Sequence, residues 1–180
     1  TGEEETLDFI YGSESKAKEF MPLDGQQRLT TLFLLHFYAA LIAKDNEGNS
    51  LVSEDDFKLL GRFSYATRNC TVTFCEQMLI EKHEILSRHI ADAQLNDKML
   101  FASYLKDLDD FRGSFYTDPS VISMIVVLDR IHSVFHGMTD MWTKLTGNDC
   151  PINFYLLDFG IFNLSDDLYT KMNSRGKPLT

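Results

Sequence analysis

Cysteine is scarce in this sequence. Only Cys70, Cys75 and Cys150 occur among 180 residues, an odd number at spacings that match no zinc knuckle. A fully paired disulfide framework is therefore excluded. We expect three buried thiols in a protein of the reducing cytoplasm.

Long apolar runs and basic residues are also few. The most apolar stretch, residues 121–135, is too short for a membrane span and contains Asp129 and Arg130, so no membrane contact is expected. The chain has 17 basic and 27 acidic residues, a net charge of −10. This balance disfavours a broad contact with a phosphate backbone, so any DNA contact should be local or should depend on other parts.

Apolar residues are nevertheless sufficient for a packed core. They make up 44% of the chain, and 12% of the residues are aromatic, which favours one domain over residues 1–180. The apolar periodicity predicts a helix-dominant α+β fold. We expect a hairpin of residues 6–11 and 19–23, a short strand or extended segment at 63–66, a central strand at 151–158, a loop at 137–149, and helices at 25–44, 70–89, 91–111, 120–136 and after Ser165.

The most unusual cluster of polar residues lies at positions 24–32, which read Asp-Gly-Gln-Gln-Arg-Leu-Thr-Thr-Leu before a long apolar helix. One explanation is a capping box, in which Asp24 is the N-cap and Gln27 reaches back to it. This explanation leaves Gln26 and Arg28 without a role. An arginine in the first helical turn also meets the positive end of the helix dipole. From the residues alone, a cap with a salt bridge and a ligand site are equally supported.

Other familiar site patterns give little. The chain has neither a Gly-x-x-x-x-Gly-Lys-Ser/Thr loop nor a Gly-x-Gly-x-x-Gly turn, so no standard nucleotide cradle is present. His132 and His136 have the four-residue spacing of a metal pair, but no third ligand is evident near them. We expect these histidines in the core or at its rim.

Three segments together resemble the DGQQR-motif family, to which the N-terminal domains of GmrSD-type restriction systems belong. Residues 24–32 match its defining motif without a gap, and residues 168–180 resemble its Asn-x-Arg-Gly-x-x-Leu element. Residues 65–68, with Phe74 downstream, resemble its Tyr-x-Thr-Arg element. The three segments follow the family's order and span most of the chain.

The resemblance implies a fold, a setting and an activity. The fold would be a small ParB/sulfiredoxin-like sheet core elaborated with several long helices, in a bacterial cytoplasmic protein. Better-understood members are nucleotide-dependent modules of modification-dependent restriction systems that attack phage or foreign DNA, often with an HNH-type nuclease further along the chain. The segment that usually precedes the motif and the nuclease are both missing from residues 1–180, so a single partial domain is expected.

The resemblance also implies a site that binds a nucleoside triphosphate with Mg²⁺. Backbone N–H groups of residues 25–27, together with Arg28, would hold phosphate oxygens at the helix N-terminus. Asp24 would repel that phosphate directly, so it is assigned to Mg²⁺ or to a water. Catalytic roles are predicted for Asp24, Gln26, Gln27 and Arg28, and nucleotide-binding roles for Gly25, Arg28, Arg68, Asn173 and Arg175.

Two questions remain open at this level. Arg175, followed by Gly176, can be an ordinary helix end, or it can face the motif with Asn173 across a shared pocket. The preferred function is NTP hydrolysis coupled to DNA cleavage by a nuclease outside this chain, with DNA reached through the full-length protein or a partner subunit. The alternative is a non-catalytic module that senses DNA or a partner, with a structural motif. The oligomeric state is left open, an oligomer included.

Overall fold

The computed structural model describes residues 5–15, 17–65, 67–92 and 100–158. Seven α-helices and three strands lie within these ranges, so the predicted helix-dominant α+β class is confirmed. The chain forms two compact units, residues 1–27 with 151–180 and residues 28–150. The helix predicted after Ser165 lies outside the described residues.

The first unit contains a mixed sheet whose described strands have the order β2-β1-β3. Its strands are β1 (Glu5–Glu14), β2 (Phe20–Pro22) and β3 (Ile152–Asp158). β1 pairs antiparallel with β2, so a hairpin forms as predicted, but through residues 12–14, which the sequence assigned to the link. Residues 5–12 of β1 pair instead in parallel with β3, through a register shift between Leu7 and Ile10. The predicted strand near residues 151–158 is therefore confirmed, with β1 in the middle of the described strands.

The turn between β1 and β2 is shorter than expected because β1 continues to Glu14. The Ser15 hydroxyl accepts the backbone N–H groups of Ala17 and Glu19 at 3.2 and 3.3 Å. Lys18 adopts a left-handed φ of 59°. A hydroxyl that satisfies local amides is the usual chemistry of a tight turn, and here it returns the chain toward the motif.

The second unit is helical. Its helices are α1 (Gln26–Ile42, of which residues 26 and 27 belong to the first unit), α2 (Glu54–Leu60), α3 (Asn69–Thr73), α4 (His83–Asp92), α5 (Leu100–Asp107), α6 (Pro119–Phe135) and α7 (Met141–Thr146). A π-helix (Phe74–Ile80) continues α3, and a 3₁₀ turn (Gly113–Tyr116) precedes α6. In the described residues, the segment 63–65 belongs to no helix or strand.

Several predicted helix boundaries were wrong: α2 was not predicted, and α4 continues to Asp92, past the helix start expected at 91. The helix expected at 70–89 breaks after Ile80. The π-helix ends there, with Glu81 N–H bonded to the Glu76 carbonyl, and the His83 ring forms a hydrogen bond with the Ile80 carbonyl. The helix expected at 91–111 ends at Asp107. The loop expected at 137–149 contains α7, a six-residue helix too short to show a period, whose Met141 is buried.

Helix α1 forms the centre of the second unit's core. Phe33, Leu34 and every residue from 37 to 43 are buried, so the second half of this helix is enclosed on all sides. The other buried residues of this core come from the π-helix, the 3₁₀ turn, the loops and every other helix of the unit except α3, whose half-buried Cys70 packs against it. None of the described helices is both long and apolar enough to cross a membrane.

Several polar groups are buried within this helical core. The Asp129 carboxylate of α6 accepts the backbone N–H groups of Phe101 and Ala102 in the first turn of α5, at 2.7 and 3.3 Å. The Tyr38 hydroxyl hydrogen-bonds to His132 Nδ1 at 3.0 Å. A buried polar group is tolerated when it is hydrogen-bonded. The predicted core position of His132 is confirmed, and His136 is half-buried.

The cysteines follow the expected pattern only in part. Cys75 is buried, and burial raises the pKa of its thiol to about 12. Cys70 and Cys150 are half-buried rather than buried. Only Cys75 is therefore the inert core thiol that the sequence predicted.

Candidate functional site

The polar motif begins where the chain leaves β2. The backbone N–H groups of Leu23 and Asp24 both donate to the Tyr11 carbonyl of β1, at 2.8 and 3.3 Å. The Gln26 side-chain amide donates to the Pro22 carbonyl at 3.1 Å. These bonds hold the segment before α1 close to the hairpin, so the motif's start is set by the sheet.

Gly25 makes the turn from the sheet into α1. Its φ is +79°, a left-handed value that only glycine adopts without strain. A Cβ atom at this position would lie 3.0 Å from Ile10 Cγ1. Gly25 therefore meets two demands at once, an unusual backbone angle and a close approach to the buried Ile10.

The φ of Gly25 also argues against the capping box that was one explanation of the motif. That box needs Gly25 as the first helical residue, but a φ of +79° is not helical, and α1 begins at Gln26. Gly25 thus occupies the N-cap position and Asp24 precedes it. Asp24, Gln26 and Gln27 are exposed, and Arg28 is half-buried.

The first turn of α1 has the chemistry of an anion site. In any α-helix the first four N–H groups have no acceptor within the helix, and the dipole is positive at this end. Helix α1 is 17 residues long, and its first three residues are Gln26, Gln27 and Arg28. The exposed carboxylate of Asp24 comes just before this end in the sequence. One short segment therefore offers groups that can bind an anion and a group that can bind a cation.

Within the helical unit, helix α1 contacts the segment that leads into the Tyr-x-Thr-Arg element at residues 65–68. Thr30 of α1 and Tyr65 share a hydrogen bond of 2.6 Å between their hydroxyls. Phe63 stacks on Phe33 with ring centroids 4.5 Å apart. The segment 63–65 thus packs along the first two turns of α1, and two segments 35 residues apart become neighbours.

Arg68 is held beside the start of α6. Its guanidinium donates to the Ser120 hydroxyl in the first turn of that helix. The carboxylate of Asp118 caps the same turn, accepting Ser120 N–H at 2.8 Å and Val121 N–H at 3.1 Å. Arg68 remains exposed, so its charge is available at the surface.

Tyr65 lies close enough to Arg68 and Asp118 for both charges to act on the pKa of its phenol. Burial raises the pKa of its phenol, the Thr30 bond and the Arg68 charge oppose this shift, and the Asp118 charge adds to it. The phenol therefore stays neutral at physiological pH and can donate its proton. The sequence assigned a binding role to Arg68 but none to Thr30, Tyr65 or Ser120, although Thr30 lies inside the motif and Tyr65 begins the Tyr-x-Thr-Arg element.

The structure does not test the two remaining predicted site residues. Asn173 and Arg175 lie outside the described residues, and so does the pocket that they were predicted to share with Arg28. Their roles stay predictions. The described part of the second unit assembles Thr30, Tyr65, Arg68 and Ser120, and the first unit presents Asp24 to Gln27.

Comparison with known proteins gives one match. The family model described as the N-terminal domain of the GmrSD restriction endonuclease matches residues 8–180. The matched range includes all three sequence elements, at 24–32, 65–68 and 168–180. No curated protein and no solved structure shows significant similarity to the chain.

Proposed function

Because the chain belongs to the family of GmrSD restriction endonuclease N-terminal domains, we propose that it binds and hydrolyses a nucleoside triphosphate for modification-dependent DNA restriction. Membership in the family makes the chain a component of a restriction system, which serves phage defence. The nucleotide role is the further step. In this proposal, the domain acts on DNA through the full-length protein or a partner subunit.

The start of α1 carries this proposal. A left-handed Gly25 turns the chain so that a 17-residue helix begins directly after an exposed Asp24. Phosphate oxygens fit such a helix N-terminus, where backbone N–H groups converge and the dipole is positive. Arg28, three residues beyond Gly25, adds a charge-assisted donor in the same turn.

Asp24 fits a magnesium ion better than it fits a phosphate. Mg²⁺ prefers carboxylate and water oxygens and commonly takes one or two carboxylates together with substrate phosphates. An exposed carboxylate leaves room for those waters. In this proposal Asp24 holds Mg²⁺ or positions a water, and the bound ion supplies charge neutralisation for phosphoryl transfer. Gln26 and Gln27 orient the water or the ribose and base.

Three further residues complete the proposal. Arg68 is an exposed cation, and Asn173 and Arg175 belong to the family's C-terminal element. We assign all three to the nucleotide. The mixed sheet of β1, β2 and β3 is the part of this chain that corresponds to a ParB/sulfiredoxin-like core in the proposal.

A second function is favoured by two contacts. The Gln26 amide bonds to the Pro22 carbonyl, and Gly25 fits against Ile10, so part of the motif holds the start of α1. A motif used only in this way would belong to a non-catalytic module that senses DNA or a partner. Turnover of added nucleotide separates the two functions.

Asp24→Asn tests catalysis. The change keeps the shape of an exposed side chain that lies outside the helix, so we expect an unchanged melting temperature together with loss of Mg²⁺-dependent NTP hydrolysis. Asp109→Asn, at an exposed acid in the turn after α5, is the matched control and should hydrolyse like the wild type. Full activity of Asp24→Asn, in a protein that hydrolyses NTP, would remove Asp24 from the mechanism.

Arg28→Ala tests binding separately. We expect NTP affinity to fall by about 1.5–3 kcal/mol, the scale of a hydrogen bond to a charged group, as measured by calorimetry. Arg130→Ala removes an exposed arginine of α6 and should leave affinity unchanged. Equal NTP affinity in Arg28→Ala and wild type would exclude the phosphate role of Arg28.

A further inference from the structure

Three metal-ligating side chains meet outside the motif, where α2 and α4 begin. The ligand atoms of Glu54, His83 and Glu84 all lie within 4.8 Å of one another. Glu54 is the first residue of α2, and His83 and Glu84 are the first two residues of α4. Two segments 29 residues apart in sequence thus present one imidazole and two carboxylates to a common point.

The His83 ring is fixed by contacts outside this trio. Its Nδ1 lies 2.8 Å from the Ile80 carbonyl, and its face stacks on Phe57 with centroids 3.9 Å apart. A carbonyl oxygen can only accept, so Nδ1 must carry the hydrogen. In the neutral ring, Nε2 then presents its lone pair.

That lone pair faces a negative group. His83 Nε2 lies 3.1 Å from Glu54 Oε1, and two acceptors at this distance repel unless a cation lies between them. Arg88 forms its ion pair with Glu84 instead, with 3.8 Å between Arg88 Nη2 and Glu84 Oε2 on an exposed surface. Either a proton on Nε2 or a metal ion resolves the repulsion.

We propose that Glu54, His83 and Glu84 bind a divalent transition-metal ion of the zinc class, which joins the N-termini of α2 and α4. Imidazole with two carboxylates suits such ions better than Mg²⁺ or Ca²⁺. A histidine ligand commonly donates its other N–H to a backbone carbonyl, as His83 does to Ile80. Zinc binds these ligands at about 2.0–2.2 Å, so rotation of the two exposed carboxylates closes the site and a water completes it.

Calorimetric titration of the nucleotide-free protein with Zn²⁺ tests this site. We expect one equivalent to bind and to raise the melting temperature. Glu54→Gln and Glu84→Gln should each lower affinity about tenfold or more, and both residues are exposed, so the fold tolerates the changes. Glu81→Gln removes the same charge from an exposed residue three positions before Glu84 and should bind as the wild type does.

Two further measurements distinguish metal binding by Glu54, His83 and Glu84 from binding by the cysteines and from a protonated His83. Co²⁺ bound in place of Zn²⁺ should show no thiolate charge-transfer band, which excludes the cysteines as ligands. Nitrogen-15 NMR should show His83 as a neutral, metal-shifted imidazole. Absent binding, equal binding in the Glu54→Gln/Glu84→Gln double variant, a thiolate band, or an imidazolium signal unaffected by Zn²⁺ would each overturn the proposal.

Discussion

At the scale of single residues, Gly25 shows how one position can serve both fold and site. Its backbone angle of +79° starts α1, and its missing side chain admits Ile10. The polar residues on either side are then presented at the helix N-terminus. A motif glycine of this kind is needed whether or not a nucleotide binds.

We expect Gly25→Ala to destabilise the protein by about 1–3 kcal/mol, because a left-handed φ is strained for alanine and the new Cβ would meet Ile10 Cγ1 at 3.0 Å. Gly48→Ala is the control, since Gly48 has a φ of +86° with nothing within 4 Å of its added Cβ. Urea denaturation of both variants isolates the Ile10 contact. Equal losses would show that the contact costs nothing.

Tyr65→Phe removes the hydroxyl that bonds to Thr30 at 2.6 Å while the ring stays against Phe63. The expected loss in unfolding free energy is about 0.5–1.5 kcal/mol, the usual net value of a hydrogen bond. A double-mutant cycle with Thr30→Val measures the pair itself. Tyr104→Phe removes a hydroxyl that bonds to no described residue and should be nearly silent; a zero coupling energy would contradict the link.

At the scale of elements, helix boundaries depend on where carbonyls and N–H groups find partners. Asp118 caps α6 with two backbone bonds, and Pro119 occupies the first helical position, where proline's missing N–H costs nothing. Both signals are local, which is why this helix could be predicted. The break after Ile80 depends on a π-helical turn and on the His83 ring, and no glycine or proline within residues 70–89 marks it in the sequence.

Asp118→Ala should therefore lower stability by about 0.5–2 kcal/mol, the cost of losing an N-cap, whereas Asp118→Asn should be nearly neutral. Thermal or urea unfolding of the two variants measures this difference. Because Arg68 is bonded to Ser120 in the same turn, the alanine variant should also change the surroundings of Arg68. A loss as large in Asp118→Asn as in Asp118→Ala would mean that charge, rather than capping, matters here.

At the scale of the whole molecule, the net charge of −10 governs what the chain can do with DNA. An acidic protein neutralises few phosphates, so few counterions are released when it binds. We expect weak binding of unmodified duplex DNA at physiological salt, with a shallow dependence of log affinity on log salt. Fluorescence anisotropy over a salt series measures the slope, and tight, steeply salt-dependent binding would mean that basic residues are concentrated on one face.

The sequence by itself determined the features that depend on neighbours along the chain. The hairpin, the apolar helix α1, the cap at Asp118 and the motif at 24–32 all follow from patterns within a few residues. The family, too, was evident from three short segments, and its match over residues 8–180 confirmed it. Such features are readable because their physical causes are local.

Only the tertiary structure decided which distant groups meet. It placed Tyr65 against Thr30, Asp129 at the first turn of α5, and His83 beside Glu54. It also divided the helix predicted at 70–89 and formed α7 from a stretch without clear period. The contacts of Tyr65, Asp129 and His83 join residues 27 or more positions apart. Long-range packing overrides local propensity wherever a buried contact contributes more free energy than a backbone preference does.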